Sequence, residues 1–73
     1  DLDIVTFTSS STATNFIMLY GKEVLKNKVI ASIGPVTTAT LLESGINVDI
    51  EARQSDIPGL LNAMETYFQE DKV

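Results

Sequence analysis

The chain has 73 residues, with ten acidic against five basic side chains, a formal net charge of −5, and neither cysteine nor histidine. The two absences exclude a disulfide framework, a thiolate metal site and a Ser-His-Asp triad, and the acidic balance argues against nucleic acid, whose binding rests on clustered Lys and Arg. At 44% hydrophobic and 21% charged the composition is that of a folded domain, but a chain so short buries only about 60–65% of its unfolded surface.

Leu2, Ile4, Val5 and Phe7 predict a first strand, interrupted by Asp3 and Thr6. Ser9, Ser10 or Ser11 then caps a helix whose Ala13, Phe16, Ile17, Tyr20 and Val24 form one apolar stripe. Gly21 ends or frays it. Lys22, Lys26 and Lys28, the one basic cluster, read as a solvated helix end. The second strand, Val29 to Ile33, is apolar on both faces and so is expected at the centre of the sheet with helices on both sides. Pro35 suits the first turn of the next helix and Gly45 its C-terminal cap. Val48 to Glu51 alternate as a strand nearer an edge. Ser55 or Asp56 caps a third helix with Pro58 in its first turn and a stripe of Ile57, Leu60, Leu61, Met64, Tyr67 and Phe68. Glu70 to Val73 is expected to fray.

This β-α-β-α-β-α order predicts right-handed crossovers and a three-layer open sheet of parallel strands. Three strands are few for such a sheet. The chain also begins at a strand without an initiator Met, so residues 1–73 are expected to be one α/β segment of a larger doubly wound domain. The free segment is expected to associate through its open edge. No apolar run approaches the ~20 residues of a membrane span, and no basic n-region precedes an apolar h-region, so the expected protein is soluble and cytoplasmic.

Ligands of open α/β sheets bind beyond the carboxyl ends of the strands. Here those ends are 8–12, 34–38 and 52–56. Thr8, Ser9, Ser10 and Ser11, and then Gly34, Pro35, Thr37 and Thr38, put hydroxyls and backbone N–H donors at two helix starts, an arrangement suited to carboxylates or phosphates. Gly34 permits close backbone approach. N-capping alone accounts for Ser and Thr at any helix start, so each stretch also has that plainer reading. No Gly-x-x-x-x-Gly-Lys or Gly-x-Gly-x-x-Gly motif is present, which disfavours the usual nucleotides. Asp3, Asp49 and Glu51 read as solvated charges. Arg53 lies near the ligand rim but reads first as a surface-loop arginine. Tyr20, Tyr67 and Phe68 read as core or half-core residues, Met18 and Met64 as filler. On the residues alone, an enzyme fragment and a non-catalytic α/β module binding a small anion or a protein partner remain open.

Ile4-Val5-Thr6-Phe7-Thr8-Ser9-Ser10-Ser11, then Ala31-Ser32-Ile33-Gly34-Pro35-Val36-Thr37-Thr38-Ala39, Leu42-Glu43-Ser44-Gly45-Ile46-Asn47-Val48 and Ile57-Pro58-Gly59-Leu60-Leu61 together resemble the C-terminal part of uroporphyrinogen-III synthase. The resemblance implies a cytoplasmic, cofactor-free hydro-lyase of porphyrin biosynthesis that closes hydroxymethylbilane into uroporphyrinogen III with inversion of the last pyrrole ring. It implies two α/β domains around a cleft, one of them built from both ends of the chain, with this segment as the end portion of that domain. The remainder of the parent chain would then be its structural partner.

The same resemblance marks Thr37, which matches the threonine of the family's Gly-Pro-x-Thr motif, as the residue nearest the chemistry. Thr8, Ser9, Ser10, Ser11, Gly34, Pro35 and Thr38 are marked as holding the substrate's carboxylate arms. Val36 stands where many members carry another threonine, a departure that bears on Thr38 as a ligand residue. A tyrosine the family places in the cleft lies upstream of this segment, and no residue here replaces it.

Overall fold

The computed structural model describes residues 3–71. Three parallel strands, β1 (Ile4–Phe7), β2 (Val29–Ser32) and β3 (Ile50–Glu51), lie in that order, so the strand that is apolar on both faces is central. Its four residues are all buried. Helices α1 (Ser10–Tyr20) and α2 (Pro35–Glu43) pack on one another and share a core of Phe7, Ala13, Leu25, Ile30, Leu41 and Ile46. Helix α3 (Ile57–Asp71) covers the other face through Val29, Ala31, Ile50, Ala52 and Leu60. The alternation of Ile30 with Val29 and Ala31 between the two cores is the period-2 pleat of β2 made visible. The three-layer α/β expectation holds.

Local sequence accounts for most element ends. Ser9 caps α1, its hydroxyl accepting the Thr12 N–H at 3.1 Å. At the end of α2, the Gly45 N–H donates to the Leu42 carbonyl and the Ile46 N–H to that of Leu41, while Ile46 and Leu41 join the same core. This is a Schellman closure, and it requires the left-handed φ of 83° that Gly45 adopts. Of the two candidate caps for α3, Asp56 serves: its carboxylate takes the Gly59 N–H at 2.7 Å.

Four expectations are corrected. The α1 stripe stops short, because Gly21, at φ 77°, turns the chain into a 3-10 helix over Lys22–Leu25. That change of phase buries Leu25 and leaves Val24 exposed; Tyr20, the last residue of α1, is exposed as well, its ring tilted against that of Phe16 at 5.0 Å. Met18, at the same helix end, is 78% exposed and fills no core. Strand β3 is only two residues long, because Asp49 reaches the neighbouring strand with its side chain: the Ile30 N–H donates to the Asp49 carboxylate at 2.8 Å. Asp49 is thus a ladder partner as well as an exposed charge. Lastly, α3 stays helical through Asp71, so the expected fraying does not begin at Glu70. Leu2 at one end, with Lys72 and Val73 at the other, lies outside the described residues.

Candidate functional site

The parallel register pairs Phe7 with Ser32, so β1 and β2 end level with one another, about 4.8 Å apart by ordinary strand spacing. The chain leaves both strands onto the same face, where α1 and α2 begin. Two helix starts therefore sit side by side above adjacent strand ends, as the hydroxyl-rich stretches predict.

The two starts differ in how their backbone donors are used. A helix leaves its first N–H groups without intrahelical partners. In α1 the cap Ser9 takes the Thr12 N–H and also bonds the Thr12 hydroxyl at 2.8 Å. The Ser10 and Ser11 N–H groups remain toward the strand end. In α2 the cap is Gly34, which has no side chain to offer, and Pro35 has no N–H. That leaves the Val36 and Thr37 N–H groups uncapped at the positive end of the helix.

Beneath this second start lies Ser32, fully buried at the end of β2. Its hydroxyl donates to the Gly34 carbonyl at 2.8 Å, and accepts the Gly34 N–H at 3.3 Å and the Thr38 hydroxyl at 2.9 Å. A buried hydroxyl is tolerated when it is bonded in this way. The Ser10 hydroxyl presents the opposite case: it is buried without a partner among the described residues.

Among the candidate residues, Thr8 and Ser11 are exposed, Ser9 and Ser10 half-buried, and Pro35 exposed. Gly34 is buried because the loop after β3 folds over it. A Cβ at Gly34 would strike the Ser55 hydroxyl and stand 3.2 Å from the Ser55 Cβ. The close approach that Gly34 permits is filled by the chain itself. Thr37 is 4% exposed and Thr38 half-buried. The Thr38 hydroxyl is directed to Ser32, which gives it a place in the turn's support. Arg53 is exposed in its loop.

A family model described as "Uroporphyrinogen-III synthase HemD" matches residues 1–62, both helix starts included. The chain belongs to the uroporphyrinogen-III synthase family. It is 42% identical over 64 residues to the uroporphyrinogen-III synthase of Chlorobaculum parvum, an alignment covering 86% of this chain and 26% of that protein. It is 34% identical over 76 residues to that of Synechococcus elongatus, covering 94% of this chain and 29% of the relative. The chain thus spans between a quarter and a third of these relatives' length. No solved structure matches it.

Within this synthase-family segment, one groove among the described residues lies away from the helix starts. About 460 Å³ in volume, it runs between the outer edge of β3 and α3, lined by Glu51, Arg53, Asn62 and Tyr67 among others. A second groove, of about 380 Å³, lies at the opposite end of the sheet from the helix starts. There Lys22, Lys26 and Lys28 stand among Glu23 and Asp49, Lys26 pairing with Glu23 at 3.7 Å and Lys28 with Asp3 at 3.1 Å. With Lys26 and Lys28 each paired to a carboxylate, this groove does not concentrate donors for an anion as the two helix starts do. Among the described residues no cluster of His, Cys, Asp or Glu could hold a metal ion, and no helix is long and apolar enough to cross a membrane.

Ser32 is the contributor that residue-by-residue sequence reasoning missed. It reads as the last residue of a buried strand, and its pairing with Thr38 appears only once α2 is seated over the strand end.

Proposed function

We propose that the protein containing this segment is a cytoplasmic uroporphyrinogen-III synthase, converting hydroxymethylbilane to uroporphyrinogen III, and that the segment supplies one wall of its cleft. The observation that carries the reading is the family match across residues 1–62. The local chemistry agrees with it. A substrate bearing eight carboxylates is suited to two neighbouring helix starts with uncapped N–H donors and surrounding hydroxyls.

In this reading the Ser10, Ser11, Val36 and Thr37 N–H groups, with the Thr8 and Ser11 hydroxyls, hold acetate and propionate arms. Ser9 and Thr38 shape the two turns. The reaction asks chiefly for orientation. The substrate's hydroxyl departs with a proton as water, leaving a cationic azafulvene. The terminal pyrrole attacks this cation through the carbon that carries its existing link, giving a spiro intermediate, whose opening and reclosure invert that ring. On reclosure the new link forms at that ring's other α-carbon, which loses its hydrogen as the returning proton and restores the aromatic pyrrole. Thr37 is the residue we place nearest the departing hydroxyl. Thr37 is 4% exposed, a burial that would keep water from any contact its hydroxyl makes.

The test is Thr37→Ala in the full-length protein. Slower formation of uroporphyrinogen III with an unchanged circular dichroism spectrum is the expected result. Unchanged turnover removes the Thr37 side chain from the chemistry.

A further inference from the structure

We infer that Ser32, acting with Thr38, is a positioning residue for substrate binding, holding the Gly34-Pro35 turn so that the Val36 and Thr37 N–H groups converge on one carboxylate arm. The inference rests on the synthase reading and adds a residue to it.

Three features carry it. First, a fully buried serine at a strand end is a costly choice where alanine would pack, unless its hydroxyl is needed. Second, every bond the Ser32 hydroxyl makes goes to the turn or to the helix above it: both polar backbone groups of Gly34, and the Thr38 hydroxyl one turn along α2. Third, α2 has no side-chain N-cap. A helix start is ordinarily fixed by a capping side chain that consumes a donor. Here the orientation is set from below, through Gly34 and Thr38, and the Val36 and Thr37 donors stay open. Ser9 at α1 shows the ordinary arrangement, in which the cap takes one N–H from its own helix.

A side chain that orients donors without touching the ligand affects how well the ligand is held more than the chemical step. Ser32→Ala removes the hydroxyl and leaves the Gly34 carbonyl, the Gly34 N–H and the Thr38 hydroxyl without their partner. Thr38→Val removes one arm of the network at a half-buried helix position, with little change of shape, and serves where Ser32→Ala does not fold. In the full-length protein, each is expected to raise KM for hydroxymethylbilane about tenfold with kcat within about twofold, the pattern of lost uniform binding. Thr38→Ser, which keeps the hydroxyl, is expected to recover most of the loss. A merely structural role would lower the melting temperature and leave KM unmoved well below it. A wild-type KM for folded Thr38→Val overturns the inference.

A readout independent of turnover separates this inference from the synthase reading. Succinate titrated into isotope-labelled full-length protein is expected to shift the Val36 and Thr37 amide resonances in the wild type, and to shift them much less in Thr38→Val. Equal shifts in both overturn the positioning role, whether or not the wild type converts hydroxymethylbilane.

Discussion

Asp49 offers the sharpest test of how this small sheet is held together. The Ile30 N–H, on a residue only 3% exposed, donates to the Asp49 carboxylate at 2.8 Å, while the Asp49 N–H returns a bond to the Ile30 carbonyl at 2.9 Å. The pair is a ladder rung in which a side chain replaces a backbone carbonyl. Asp49→Ala strands a buried donor. A hydrogen bond to a charged group contributes roughly 1.5–3 kcal/mol, and the low end applies because Asp49 itself is exposed, so the cost is about 1–2 kcal/mol. For a domain of this size each kcal/mol moves the melting temperature by about 4–8 °C. Asp49→Asn keeps an acceptor oxygen and is expected to lose less than half as much. Hydrogen exchange in the full-length protein, read on the peptide containing Ile30, is the direct assay. Exchange at Ile30 is expected to quicken in Asp49→Ala while Phe7 and Leu41, which share its core but take no part in the rung, keep their protection. Wild-type exchange at Ile30 in Asp49→Ala would refute the rung.

Two further outcomes follow from the packing. Gly34→Ala forces a Cβ against Ser55 and is expected to destabilise by about 1–3 kcal/mol, most of it recovered by adding Ser55→Gly. Urea unfolding that finds Gly34→Ala as stable as the wild type would show that the loop yields freely. The 73-residue chain alone leaves the outer edge of β1 without a neighbour among the described residues, and is expected to associate in light scattering and to form no type III product. A monomeric, active segment would contradict both.

Much of this architecture is legible in the sequence because it is local. The hydrophobic run of β2, Pro35 in the first turn of α2, Gly45 at its end and Asp56 before α3 each carry their signal within a few residues. What is not legible depends on distant parts meeting. The Asp49 carboxylate finds Ile30 only through the strand register, Ser55 reaches Gly34 only when the third loop folds over the second strand end, and Ser32 acquires its role only from Thr38 above it. The end of α1 fails for a different reason. A stripe drawn at constant helical phase through Tyr20 to Val24 assumes continuity, and Gly21 breaks it with a backbone angle that shifts the phase.

At the candidate site, the residue types and their placement at two neighbouring helix starts were readable, whereas the division of labour among them was not. Ser9 is consumed as a cap, Thr38 is directed to Ser32, and Gly34 is covered, so the open donors are largely backbone N–H groups that no side-chain pattern displays.

The central claim is most directly tested by incubating the full-length protein with hydroxymethylbilane and resolving the type I from the type III uroporphyrinogen isomer. Type III formation faster than the spontaneous closure to type I is the expected result. Type I alone, from protein shown to be folded, would contradict it.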